Sequence, residues 1–343
     1  KADADRWYQE QLVFKERLAA GFATHASTTT LEQFAADWLE SRKVSGQPAS
    51  SSQQDHARLR LYILPQFGKR ILDTIKTREW DAFLNKLQRE KNLSGASANR
   101  VRSLLSKLYN DAKRLEAASH NPISIIPKAK ESMATMNYFE SREEAAKYLA
   151  TAKSIGSDAA AFAYLALTTG CRVGELCALD YGDIDLKQKR IRVSKIFESV
   201  TLEVQKRTKG FTERHLGISE VALGILIEHK RQAEKNSPSD PVLTDEYGHR
   251  MSTYSARRVH ARILRVSGLK TIRVHDLRHT FASHYVMSGG SLAELQGLLG
   301  HTSPMMTLKY AHLAPGFLAS KANVVSYEPE ETEQSLKLIV SKS

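Results

Sequence analysis

The chain has 343 residues, 41% apolar and 26% charged, with 50 Lys and Arg against 38 Asp and Glu, for a net charge of +12. This length exceeds one typical core and predicts two domains. No apolar run is long enough to span a membrane, and no cleavable signal peptide opens the chain. The basic excess predicts a polyanionic partner, and Cys171 and Cys177 are too few and too close for a disulfide framework or a zinc site, so a reducing, cytoplasmic setting is expected.

In chain order, residues 1–24 read as a helix, and "TTTLEQFAADWLESRK" starts another with Leu31, Phe34, Trp38 and Leu39 on one face. The serine-rich "KVSGQPASSSQQ" is a loop. "HARLRLYILPQFGKR" and "TREWDAFLNKLQRE" read as helices broken by Pro65 and Gly68, and "SGASANRVRSLLSKLYNDAKRLE" as a longer one. From His56 to Arg114 there are 14 Lys or Arg and 5 Asp or Glu, so most of the positive excess sits in this helical segment. A solvated basic surface would show the same count.

"HNPISIIPKAKESMATMNYF" has two prolines and no period, the signature of a linker. Ser141 with Glu144 three residues on predicts a capping box, and the apolar "AAAFAYLALTTG" a buried helix stopped by Gly170. "KRIRVSKIF", "LEVQK" and "RHLGIS" predict a small antiparallel sheet whose last turn is "RTKGFTE", and from Ser219 onward the pattern is helical again. The expected class is mainly α with a small antiparallel β-sheet.

Several chemistries fail on motif: no G-x-x-x-x-G-K-[ST], H-E-x-x-H, G-x-S-x-G or C-x-x-C occurs, and the carboxylates are scattered. Six of the twelve histidines lie between His260 and His312, but without metal-ligand spacing. What remains is an ordered set of cations, imidazoles and one phenol. "TTGCRVGELCAL" offers Arg172, "RTKGFTERHLGIS" offers Lys209 at a hairpin tip, "VHDLRHTFASH" offers His275 and Arg278 on one helix face, and "GHTSPMMTLKYAHL" offers His301 and Tyr310. Each has a plain alternative taken singly. Arg172 could pair with Glu175, Lys209 could be an exposed loop lysine, and Tyr310 could be packing.

Together these blocks resemble the tyrosine recombinase, or phage integrase, family: Arg172, Lys209, His275 with Arg278, Gly300-His301 and, nine residues on, Tyr310. The resemblance covers about residues 28–325, with Cys171 and Gly217 where many members carry Leu or Met and Pro. It implies a site-specific DNA recombinase in which Arg172 and Arg278 hold the scissile phosphate and His301 donates a hydrogen bond to it. His275 assists removal of the phenolic proton, Lys209 protonates the leaving 5′ oxygen, and Tyr310 attacks to give a 3′-phosphotyrosyl linkage. No metal and no cofactor is expected. A short helix capped by Thr302 or Ser303, with Pro304 in its first turn, is expected to carry Tyr310.

By the same resemblance the chain is a two-domain DNA clamp. The expected parts are a linker helix (1–27), a helical core-binding domain (28–118), a linker (119–137), a catalytic domain (138–325) and a tail (326–343) that either passes to a neighbouring protomer, as in many members, or folds back on its own domain. Arg100, Arg102 and Lys107 on one side, and Arg257 and Arg258 in "STYSARRVHARILR" on the other, are candidate DNA contacts. Expected partners are double-stranded DNA sites, a homotetramer, and accessory DNA-bending or directionality proteins, with no membrane. Many members carry a further arm-binding domain before the linker helix; because the chain starts at Lys1 rather than Met, upstream sequence is expected to be missing. The competing readings are a relaxing type IB topoisomerase and a DNA-binding module with an inert pocket.

Overall fold

The structure is a computed structural model that describes residues 28–45, 48–131, 136–206, 213–234 and 237–314. The expected helix over 1–24, Lys209 and the tail 326–343 lie outside the described residues. The chain divides into two compact units, residues 1–135 and 136–343.

The described part of the first unit is helical. α1 (Leu31–Val44) opens with a capping box: Gln33 N donates to Thr30 Oγ1, and Thr30 N to Gln33 Oε1. α2 (Ala49–Arg58) continues through a π turn (Leu59–Ile63) into α3 (Leu64–Phe67). Pro65 therefore does not break this helix, contrary to the sequence expectation. The Leu64 N–H reaches back five residues to Leu59 O, and this widened turn accommodates a ring that has no N–H and would crowd a regular α turn. The helical run does end at Gly68.

α4 (Thr77–Glu90) buries Trp80, Phe83, Leu84 and Leu87, an i, i+3, i+4, i+7 stripe, against α5 (Gly95–Arg114). The polar ends of its aromatics are satisfied: Trp80 Nε1 donates to Tyr109 Oη at 3.2 Å, and Tyr109 donates to Leu72 O at 3.0 Å. Residues 119–131, expected from sequence to belong to a linker, are tied to this unit. Ile123 and Ile126 are buried in its core, and Asn99 clasps Ala129 through both its side-chain oxygen and nitrogen.

In the second unit α6 (Arg142–Ile155) starts at the predicted capping box, with Glu144 N donating to Ser141 Oγ. α7 (Ser157–Thr169) is apolar all round because it is buried all round, packed by α6, α9 (Glu220–Gln232), α10 (Thr253–Ser267) and α11 (Asp276–Met287). It stops at Gly170, whose φ of 63° and whose closeness to Phe281 both require a residue without Cβ.

After α8 (Val173–Cys177) the alternating runs form two sheets rather than one. β1 (Ile184–Asp185), β2 (Arg190–Val193) and β5 (Arg214–Gly217) make an antiparallel sheet with Ile191 opposite Leu216, while β3 (Lys195–Glu198) and β4 (Glu203–Lys206) pair separately. α12 (Leu292–Leu299), α13 (Met305–Leu308) and a 3-10 turn (Ala311–Leu313) complete the described unit. Among the described residues no helix is long and apolar enough to cross a membrane.

Candidate active site

The second unit brings five of the six sequence-predicted residues to one place, on the ends of α7, α8, α11 and α12. Arg172 is the residue before α8, in extended conformation, so its side chain projects from the helix start and stays partly accessible. Its backbone N–H donates to Glu175 Oε2 at 2.9 Å and its Nη1 to Glu175 Oε1 at 3.1 Å. Glu175 is fully buried. A buried carboxylate needs a counter-charge, and a second arginine, Arg214, supplies one through Nη2 at 2.6 Å. The strand alternation that turns Leu216 inward turns Arg214 inward too.

Arg278 lies in the first turn of α11 and is 3% exposed. Its Nη1 donates to Gly170 O at 2.8 Å and its Nη2 to Leu299 O at 2.7 Å. These are carbonyls at the ends of α7 and α12, where a helix leaves acceptors unpaired and where a cation meets the negative end of the dipole. One side chain thereby fixes two helix termini while keeping further N–H groups for another acceptor. Burial, and then Arg172, pull the Arg278 pKa down to about 10.

Gly300 ends α12 in the left-handed region, at φ 62°, and turns the chain so that His301 faces back toward the arginines. His301 Nδ1 is 2.8 Å from Thr307 Oγ1. Burial first, then Arg278 and Arg172, push its pKa to about 4, so the ring is neutral at pH 7. His275 precedes α11 at the solvent edge, held below its ordinary pKa by desolvation, then by Arg278 and Lys309. Asp276, fully buried, accepts Arg273 N at 2.8 Å and fixes the start of this helix.

Tyr310 follows α13 and is 1% exposed. Its ring packs among Ala282, Val286, Leu295 and Leu299, its hydroxyl lies 2.7 Å from His279 Nδ1, and Lys309 Nζ stands 5.1 Å from the ring centre. Burial raises its pKa to about 12. The expected cap at Thr302 or Ser303 is not formed. Pro304 occupies the cap position without a side-chain hydrogen bond, and backbone bonds such as Thr307 N to Pro304 O hold the short helix. Sequence reasoning did not single out Arg214, His279, Thr307 or Lys309. His279 and Lys309 stand within or beside the matched blocks, but Arg214 carried only the weak signal of strand alternation.

The candidate DNA contacts divide. Arg102 has a structural role: its Nε donates to Ile126 O at 2.7 Å and its Nη2 to Ile123 O at 3.3 Å, holding residues 119–131 against α5. Arg100 and Lys107 are exposed and line a cleft of about 430 Å³ in the first unit together with Arg58 and Lys128. Arg257 and Arg258 are exposed on α10, Arg258 in a 3.5 Å ion pair with Glu246.

Comparison with known proteins places this geometry. The sequence profile of the phage integrase family matches residues 139–316 and that of the phage integrase central domain matches residues 31–129. Tyrosine recombinase XerC of Thermodesulfovibrio yellowstonii is 34% identical over 148 residues, 43% of this chain and 47% of that protein, so this match spans about half of the relative. XerC of Pelobacter propionicus is 27% identical over 295 residues, 84% of this chain and 85% of that protein. Among solved structures, the Tn1549 transposon integrase in complex with transposon right end DNA superposes with a TM-score of 0.73 at 18% identity, covering 86% of this chain and 98% of that one. A lambda integrase tetramer bound to a Holliday junction gives 0.61 at 22%, covering 82% and 80%. The fold is that of the tyrosine recombinases. The chain belongs to the phage integrase family of tyrosine-type site-specific recombinases.

Proposed function

We propose that this chain cuts and rejoins double-stranded DNA at a defined site through a 3′-phosphotyrosyl linkage to Tyr310 and a Holliday junction, integrating or excising a mobile element. The observation that carries this reading is one tyrosine in the same unit as Arg172, Arg278 and the neutral imidazoles of His279 and His301, with the Arg278 charge acting against burial on its phenol. A phosphodiester is anionic, and charge on its oxygens rises in the transition state. Guanidiniums bind such oxygens bidentately and do not deprotonate at working pH. Arg172 reaches the phosphate from an accessible side chain, and Arg278 uses N–H groups not committed to Gly170 and Leu299.

His301 donates from Nε2 when the Thr307 hydroxyl donates to its Nδ1. His275 takes the phenolic proton, the Tyr310 oxygen bonds to phosphorus, and the bond to the 5′ oxygen breaks as that oxygen takes a proton from Lys209, a role that rests on the family resemblance alone. The phosphotyrosyl bond conserves the energy of the broken one, so a 5′ hydroxyl of another strand reseals it without a nucleotide cofactor.

In this reading the first unit binds DNA with Arg100 and Lys107, joined by Arg58 and Lys128, while Arg257 and Arg258 are contacts from the second. Four protomers assemble on paired sites, with accessory DNA-bending proteins where the sites require them. Incubation with a nicked suicide substrate tests the proposal. A covalent adduct at the 3′ side of the cut, with strand exchange confined to one sequence, is expected; sequence-independent relaxation of supercoils without exchange would replace it with a topoisomerase-like function.

A further inference from the structure

The Tyr310 hydroxyl is in an unusual place for a nucleophile. The side chain is 1% exposed, walled by Ala282, Val286, Leu295 and Leu299, and its oxygen meets His279 Nδ1 at 2.7 Å. A hydroxyl removed from water without a partner is costly, so this hydrogen bond is what makes the buried position tenable. His279 is itself 8% exposed and is seated in α11 directly after Arg278, its ring centre 5.1 Å from that of His275 in an edge-to-face arrangement. The segment carrying Tyr310 is held lightly by comparison. α13 is four residues long, and Met305, Met306 and Leu308 on it are exposed.

Resting on the reading of Tyr310 as nucleophile, we propose that His279 is a positioning residue that anchors the Tyr310 hydroxyl in a withdrawn position. Cleavage then requires the phenol to exchange its hydrogen bond to His279 for the scissile phosphate. The charges facing His279 favour this. Burial acts first against a proton on the ring, then Lys309 on the tyrosine segment and His275 and Arg273 at the start of α11, and Asp276 opposes them only in part, leaving a pKa of about 4. The imidazole is therefore neutral at pH 7 and accepts at Nδ1, while the phenol, at about 12, keeps its proton and donates. With the phenol raised and the imidazole lowered, passing the proton from Tyr310 to His279 is uphill, so in this position the pair acts as a tether.

The test compares His279→Leu and His279→Asn in the full chain on a suicide substrate carrying one half-site. Leu removes the acceptor and weakens the withdrawn position, so covalent adduct should form about 2- to 10-fold faster, the worth of one hydrogen bond. Asn, whose side-chain oxygen takes the place of Nδ1, should return the rate toward that of the unaltered chain. Unchanged adduct rates in the Leu variant, or a large fall that Asn does not restore, would overturn the tether. Nitrogen-15 NMR of the His279 ring supplies a readout free of catalysis and of any folding defect in the Leu variant. The Nε2–H tautomer is expected, and in Tyr310→Phe the His279 pKa should rise by about half a unit or more as the neutral ring loses its donor. A protonated Nδ1, or no rise, would contradict the proposal. Adduct persisting in Tyr310→Phe would instead remove the nucleophile assignment and leave the NMR result standing.

Discussion

Arg214 and Glu175 form a buried ion pair with Nη2 and Oε2 2.6 Å apart, and the same carboxylate holds Arg172 at 3.1 Å. The pair links β5 to α8 and sets the side chain that is to meet the phosphate. Removing one member of such a pair leaves an uncompensated buried charge, so Glu175→Leu should lower stability by about 3–5 kcal/mol, and Glu175→Gln, which keeps an acceptor, by less. Urea denaturation measures this. A loss under about 1 kcal/mol for the Leu variant would show that the pair is not what fixes Arg172.

Arg172 and Arg278 should separate in their effects. Either one replaced by Ala should slow cleavage by about 100-fold or more, with a smaller loss of DNA binding, since each acts on charge that develops in the transition state. Arg278→Ala should cost more stability than Arg172→Ala, because Arg278 is buried and bonded to the ends of two helices, while loss of Arg172 leaves Glu175 its ion pair with Arg214. Thermal melting beside single-turnover cleavage distinguishes the two. Equal melting losses would mean that the ion pair of Arg172 with Glu175 holds the fold as much as the two helix-end bonds of Arg278 do.

How much of this was legible in the sequence depended on the range of the signal. Short-range chemistry was legible: the Ser141 and Glu144 capping box, the stop at Gly170 and the all-apolar α7 are each written within a few residues. Pro65 misled because a π turn five residues long, invisible to a 3.6-residue period, absorbs it. The split of the strands into two sheets depends on pairing across the chain, β2 with β5 over β3 and β4. In the candidate site the family blocks carried five positions that converge, while His279 is separated from Tyr310 by 31 residues and Arg214 from Glu175 by 39, pairings that no local pattern encodes. Arg102 was expected as a DNA contact from its charge and its place near the start of a helix in the core-binding domain, and its bonds to two backbone carbonyls across the fold were not legible in that local pattern.

That structural role is testable. Arg102→Ala should lose about 1–3 kcal/mol of stability through two backbone acceptors left without a donor, with no change in the salt dependence of DNA binding. Arg100→Ala should leave stability within about 0.5 kcal/mol and reduce the slope of log K against log salt by about one. The reverse pattern would make Arg102 a DNA contact rather than a structural residue.

Stability should also fall on mild acidification. His279 and His301 have folded pKa values of about 4, and those of His260 and His275 are also lowered, against about 6.5 for an unfolded histidine. Between those limits the unfolded chain binds more protons than the folded one, so unfolding free energy rises with pH. The contribution is complete above about pH 6.5 and is lost progressively toward pH 4. Urea midpoints at pH 7.5, 6 and 5 should therefore decrease in that order. A flat or rising series would mean that these imidazoles are protonated in the fold.

The central claim is that Tyr310 carries the DNA. The direct measurement is to trap the adduct on a suicide substrate, digest protein and DNA, and identify by mass spectrometry the peptide bearing the nucleotide. The account predicts a single modified peptide, containing Tyr310 and absent from Tyr310→Phe, which should still bind the site with unchanged affinity. A nucleotide found on any other residue, or an adduct of undiminished yield from Tyr310→Phe, would contradict it.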